Sequence, residues 1–137
     1  MMTDTLACYH ETMLTLVAGK HRSFPRSPCT LREYWGADEE GTICAYVRFL
    51  EYEHYLMLCD VEVRVGWRGE GRGMRMLRMV EERTSKTMFA TGTYTPKGQR
   101  SLAQHLPLGP GFSPRASTIK DMGFVHDWDN KISMDPL

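Results

Sequence analysis

Residues 61–77, reading VEVRVGWRGEGRGMRML, admit few conformations. Val61, Val63 and Val65 alternate with Glu62 and Arg64, which is the period of a strand. Gly69, Gly71 and Gly73 then fall at every second position. Met76, Leu77, Val80 and Thr84 follow at helical spacing. The stretch predicts a strand, a glycine-rich turn and a helix over 73–85. Such a helix start leaves backbone N–H groups pointing outward at the positive end of the helix dipole, an arrangement that attracts anions. The missing side chains let a phosphate approach the main chain closely.

Two phosphate loops are excluded by residue identity. A P-loop requires Gly-x-x-x-x-Gly-Lys-Ser/Thr. Gly66 and Gly71 have that spacing, but Arg72 and Gly73 stand where the lysine and the magnesium-binding hydroxyl belong. A dinucleotide fingerprint requires Gly-x-Gly-x-x-Gly. Met74 occupies the place of its third glycine.

The run Arg68-Gly69-Glu70-Gly71-Arg72-Gly73 fits Gln/Arg-x-x-Gly-x-Gly/Ala. It resembles the pyrophosphate signature of the GNAT superfamily of acyl-CoA N-acyltransferases, as a small and phage-type member would carry it. Val63 and Val65 before the turn, Trp67 before the arginine and Leu77 after it are similar too. Met122-Gly123-Phe124 resembles the Leu-Gly-Phe that ends the family's fourth helix, and Ile132-Ser133-Met134 its last strand. The similarity spans roughly residues 28–137. The competing reading of the turn is structural, because many strand–helix turns rich in glycine bind nothing.

Length and balance set the outer limits. With 137 residues, the chain suits one domain, 1–137, around a modest core. Formal net charge is +0, which gives no support for general nucleic-acid binding. Charge is nevertheless uneven. Arg64, Arg68, Arg72, Arg75, Arg78 and Arg83 surround the proposed phosphate turn, whereas Asp38, Glu39, Glu40, Glu51 and Glu53 gather upstream. A basic rim suits coenzyme phosphates, and a solvated helix face explains Arg78 and Arg83 equally well. Cys8, Cys29, Cys44 and Cys59 have neither metal spacing nor a disulfide framework, so they read as buried free thiols. The five histidines form no His-x-x-x-His pair, so no metal site is expected. No apolar run has membrane-spanning length, and no signal peptide is evident. A reducing cytoplasm is the simplest home, and a homodimer is left open.

Coarse patterning completes the expected fold. Residues 4–18 read as a helix, with Asp4 as its cap and Leu6, Tyr9, Met13, Leu16 and Val17 as an apolar stripe. Residues 20–28 read as a loop. Strands are expected at 30–36, at 42–52 (Ile43, Ala45, Val47 and Phe49 on one face) and at 55–65, making an antiparallel meander. A strand over 87–95 then runs parallel to the third, across the helix. Short helices at 98–106 and 116–122 flank a breaker-rich loop. A final hairpin of 124–128 with 131–134 turns at Asp129-Asn130. The fold class is α/β in the α+β sense: a GNAT-like mixed central sheet with an antiparallel N-terminal meander, a splayed parallel strand pair and flanking helices. Two departures from the family stand out, the apparent lack of a first strand and an inserted segment over 97–113.

The resemblance implies the chemistry. Acetyl-CoA would lie where two parallel strands part, its pantetheine arm on the backbone of Val63 and Val65 as an added strand. Its pyrophosphate would sit on the amides of Gly69, Glu70, Gly71, Arg72, Gly73 and Met74. Arg68 either braces the turn or meets phosphate. An acceptor amine would attack the thioester directly, which requires a base, an oxyanion donor near Val63 and a proton donor for the thiolate. By strict alternation Met57, Cys59 and Val61 share a face with Val63, and none is a base. Glu62 is the base candidate if a bulge shifts the register; otherwise it is a surface or paired carboxylate. The family's acid position, counted from Gly123, holds Ile119, which has no proton to give. His105 and Tyr94 are the substitutes, each with a plain structural alternative. The acceptor is an amine of a small molecule or a protein. The competing function is a non-catalytic GNAT-like module, virion or regulatory, that binds coenzyme or a partner without turnover; a nucleic-acid-modifying acyltransferase is a weaker third.

Overall fold

The computed structural model describes residues 13–90, 106–107 and 125–134, together with the backbone of 93–94 and 115–116. Five strands form one sheet in the order β1-β2-β3-β4-β5: β1 (Thr15–Ser23), β2 (Thr30–Ala37), β3 (Ile43–Glu51), β4 (Tyr55–Val63) and β5 (Thr87–Phe89). The first four pair antiparallel in sequence order. Between β4 and β5 runs the helix α1 (Arg72–Thr84), and the two strands pair in parallel. Two small ladders lie apart from the sheet: β6 (Thr93–Tyr94) with β7 (Arg115–Ala116), and the hairpin of β8 (Val125–Asp127) with β9 (Ile132–Met134). The mixed sheet and the crossover are as the patterning predicts.

The N-terminal part differs. β1 replaces the helix expected over 4–18 from Thr15 onward and the loop expected over 20–28 as far as Ser23, while 24–28 form the expected loop and residues 4–12 lie outside the described part. Thr15 and Val17 are β-branched, and β1 pairs along β2 from Thr15↔Ala37 to Ser23↔Thr30. That ladder outweighs the ambiguous spacing of Met13, Leu16 and Val17. A strand therefore does precede residues 30–37; the expected lack of a strand ahead of the first helix concerns residues outside the described part. A bulge between Ala18 and His21 accommodates Glu33. A Cβ on Gly19 would lie 2.6 Å from Glu33 Cγ, and the amide of Lys20 donates to Glu33 Oε1 at 2.9 Å.

Three further boundaries move. The strand expected to reach Val65 stops at Val63, because Trp67 N–H bonds Arg64 O at 3.0 Å and closes a turn with Gly66 at φ 99°. The strand expected over 87–95 breaks after Phe89, where Ala90 N–H turns to Pro107 O at 2.8 Å instead. Ala116, expected to open a helix, lies in β7. The rest of that helix, the helix at 98–106 before Leu106, and Met122-Gly123-Phe124 lie outside the described residues. The C-terminal hairpin forms as expected.

α1 covers one face of the sheet. Met76, Leu77 and Val80 are fully buried against Ala45, Val47, Phe49, Leu56, Leu58 and Met88. Each such side chain contributes about 1.5–3 kcal/mol of burial. The helix comes so close that a Cβ on Gly36 would meet Met76 Sδ at 2.7 Å. β3 is buried on both faces, not on one, since Tyr46 is as covered as Ala45 and Val47. The hairpin β8–β9 supplies the second cover: His126 lies 4.6 Å from the Tyr46 ring and 5.6 Å from Trp35, and Trp128 lies 5.9 Å from Trp35.

β4 and β5 form a wedge. At its closed end the pairs Tyr55↔Thr87, Leu56↔Met88 and Met57↔Phe89 hold the strands together. Lys86 Nζ bonds both Glu51 Oε2 and the Tyr52 carbonyl at 2.8 Å, and Met88 N–H donates to Glu81 Oε2 at 2.7 Å. Burial works against the charge of Glu51, but the bonds from Lys86 and Arg32 outweigh it and hold its carboxyl below the usual range. Past Met57, β4 runs on to Val63 with no described strand on its β5 side.

Candidate cofactor and acceptor site

The open side of the wedge is set by register. Arg64 N–H bonds Cys44 O at 2.8 Å, so this pair faces inward on the β3–β4 ladder. Alternation then makes Val63–Ala45 and Val61–Val47 the outward kind, with N–H and C=O directed away from β3. They point to the β5 side of β4, where no strand pairs with them among the described residues. Arg68 confirms the direction, for its Nε donates to the Val63 carbonyl at 2.7 Å from that side. This bond braces the turn against the strand end. Val65 lies in the turn beyond the strand with its side chain exposed.

The glycine turn ends this gap. Gly69 and Gly71 have φ of 88° and 78°, a region that side chains disfavour, and no atom lies near where their Cβ atoms would stand. Gly71 caps α1 without any side-chain bond, and the first helical turn holds no acid. The leading amides, from Arg72 onward, carry the positive end of the dipole, with no side-chain cap bond among the described residues. Glu70 is drawn aside to Arg72 at 3.1 Å. Gly73 sits over β4, where a Cβ would touch Val61 and Val63 only at 3.8 Å. Met74 packs on the core.

The turn is braced from several directions. Arg72 Nη1 bonds the Trp67 carbonyl at 2.7 Å, and Trp67 Nε1 bonds Asp38 Oδ2 at 3.1 Å. Arg64 bonds the Ile43 carbonyl and Asp129, both at 3.2 Å, and lies over the Trp67 ring. The basic rim expected for phosphate is therefore partly a scaffold: Arg72 holds the turn's own Trp67 carbonyl and Glu70, while Arg64 and Arg68 tie it to β3, β4 and Asp129. Arg83 lies over the Tyr34 ring, and Arg78 is exposed.

This is the arrangement of the signature in place: a parting strand pair, outward backbone groups and an uncapped glycine helix start. The model of the acetyltransferase (GNAT) family matches residues 4–103. The chain belongs to the GNAT family. Comparison with the curated proteins and with the solved structures gave no match. The matched span covers the wedge and the phosphate turn and ends before Leu106 and the hairpin. Members of the family typically use acetyl-CoA, and the family is one of acetyltransferases.

The sheet face opposite α1 carries a second group of polar side chains. A bulge in β4 leaves Cys59 unpaired, between Arg48↔Asp60 and Phe49↔Leu58. The bulge expected on this strand is present, but it does not turn Glu62. It places Leu56 and Leu58, not Met57 and Cys59, on the face of Val61 and Val63. Cys59 is exposed, which corrects its reading as a buried thiol, while Cys29 and Cys44 are buried; all three are free. Glu62 stands on the far face beside Tyr46, and its Oε2 lies 3.0 Å from His126 Nε2. Tyr46 Oη donates to Glu33 Oε2 at 2.8 Å. Burial first, and this bond second, push the Tyr46 hydroxyl far above its ordinary range, so it stays a neutral donor.

Asp60, Glu62 and His126 bring one ligand atom each within 4.8 Å of one another. Arg48, the cross-strand partner of Asp60, brings a positive charge to the same face, and His126 Nε2 pairs with Glu62 Oε2. Nothing in the spacing of Glu62 and His126 foretells their meeting. The one signal is the hairpin's inverted pattern, with polar His126 and Ser133 turned inward and Val125, Ile132 and Met134 exposed. Tyr94 has its backbone in β6, paired with Ala116. His105 and Ile119 lie outside the described residues.

Proposed function

We propose that this single-domain chain binds acetyl-CoA in the gap between β4 and β5 and transfers the acetyl group to an amine of a small molecule or protein. The observation that carries the reading is the outward direction of the Val61 and Val63 backbone, leading to the uncapped start of α1 at Gly71. The pantetheine arm would pair with those groups as an added strand. The diphosphate would take the amides from Gly69 to Met74, and Gly73 would allow its close approach. The Val63 N–H would donate to the thioester oxygen as it gains negative charge.

The acceptor ammonium first loses a proton to a base, for which Glu62 is the candidate. The neutral nitrogen attacks the carbonyl, the C–N bond forms and the C–S bond breaks. The thiolate takes the remaining amine proton, directly or through Tyr94 or His105 as relays. Products are the amide, free coenzyme A and one proton. The home is the cytoplasm.

A thermal-shift measurement tests the reading. Ligand held only by the folded state raises the melting temperature, so acetyl-CoA and coenzyme A at saturation are expected to raise it by several degrees. No shift would remove the assignment. A shift with no acetylation of any amine in a broad panel would favour the non-catalytic module. Tyr94→Phe and His105→Ala separate the relays, and unchanged turnover in both discards them.

A further inference from the structure

The geometry points to His126 as a positioning residue that holds the Glu62 carboxylate where the acceptor amine meets it. This rests on the acetyltransferase reading, since it concerns the acceptor half of the same site. The two groups lie far apart in sequence. Glu62 is the penultimate residue of β4, next to Val63, whose N–H faces the gap. His126 is on β8, outside the span matched by the family model.

Exposure assigns the roles. The His126 side chain is 1% exposed and that of Glu62 20%. The imidazole lies among Trp35, Tyr46 and Trp128, with ring centroids at 5.6, 4.6 and 4.7 Å. It cannot reach an acceptor unless the hairpin lifts. Glu62 keeps an open side and can. Its carboxylate would otherwise sample several rotamers at a strand end; the 3.0 Å contact from a packed ring removes that freedom. Charge nearby comes from every packed element. Glu62 and Asp60 come from β4, Arg48 and the Tyr46 hydroxyl from β3, and Glu33 from β2 through its bond to Tyr46. β9 adds the Ser133 hydroxyl near Tyr46. The acceptor ammonium thus arrives on the hairpin face, gives one proton to Glu62, and attacks the thioester across β4.

Native protein, Glu62→Gln, His126→Phe and His126→Gln form the test. Phe keeps the aromatic packing and loses the polar contact, and Gln keeps a polar group. Coenzyme A should shift the melting temperature of all four alike; no shift in native protein would remove the acetyltransferase reading and is told apart from failure here. Turnover is read with spermidine and with a lysine-containing peptide as amine probes. E62Q and H126F are expected to lose about tenfold or more in kcat with KM for acetyl-CoA unchanged, and H126Q to recover to within about fivefold of native. Native kcat in H126F, or H126Q as impaired as E62Q, overturns the proposal. If neither probe is acetylated, the histidine ring ¹⁵N spectrum decides. Movement of the His126 resonances in E62Q supports the contact, and an unchanged ring overturns it.

Discussion

Trp67 Nε1 and Asp38 Oδ2 meet at 3.1 Å, tying the glycine turn to the turn between β2 and β3. The other oxygen of Asp38 accepts the amides of Glu40 and Thr42, each at 2.9 Å. The phosphate turn therefore hangs from a loop that is itself closed by one carboxylate.

That carboxylate makes the turn acid-sensitive. The Thr42 amide first, then the Trp67 indole and the Glu40 amide, outweigh desolvation and hold Asp38 below the usual carboxylate range. A depressed folded value gives stability that is complete above the ordinary value of about 3.9 and is lost as pH falls through the folded one. Asp38→Asn should flatten the fall in melting temperature between about pH 5 and pH 2, and should weaken coenzyme A at neutral pH. Parallel melting curves for both proteins would count against this link.

Gly73→Ala separates ligand approach from folding. The new Cβ meets only Val61 and Val63 at 3.8 Å, and helical alanine is favoured over glycine by up to about 1 kcal/mol. The melting temperature should hold or rise slightly, while the coenzyme A Kd should rise about tenfold or more. Unchanged binding would place the diphosphate elsewhere.

Gly19→Ala should do the reverse. Its Cβ would stand 2.6 Å from Glu33 Cγ and 2.8 Å from Oε1, so the carboxylate that accepts Tyr46 Oη must shift. Overpacking of this kind costs about 1–3 kcal/mol. A denaturant titration should show the loss, and Glu33→Ala in the same chain should remove most of the difference between glycine and alanine.

At the closed end of the wedge, Glu51→Gln weakens the clamp on Lys86 and Arg32. The pair is partly solvent-exposed, so screening limits the loss to about 1 kcal/mol. Stability should fall by that amount with coenzyme A affinity unchanged. A matching loss of affinity would mean that the clamp sets the gap width. Since Glu51 titrates below its usual range, this contribution too fades as pH falls.

What was legible in the sequence was local. Alternating valines, glycines at every second position and a helical apolar stripe each have one conformational solution, so β4, the turn and α1 could be read within two residues of their ends. The Asp129-Asn130 hairpin was legible for the same reason. β1 was misread because Met13, Leu16 and Val17 satisfy a helical spacing, and only its ladder with β2 decides between the two.

The chain by itself determined the glycine turn and the helix that follows it, because glycine freedom and a helix start without a side-chain cap depend on neighbours in sequence. Tertiary structure decided the rest of the site. The bulge at Cys59 sets which residues lie under α1. The ladder with β3 turns the Val63 N–H into the gap. The fold of the hairpin over Tyr46 brings His126 to Glu62. Each depends on pairing between distant segments, and a pattern read along one strand carries no information about which partner lies across from it.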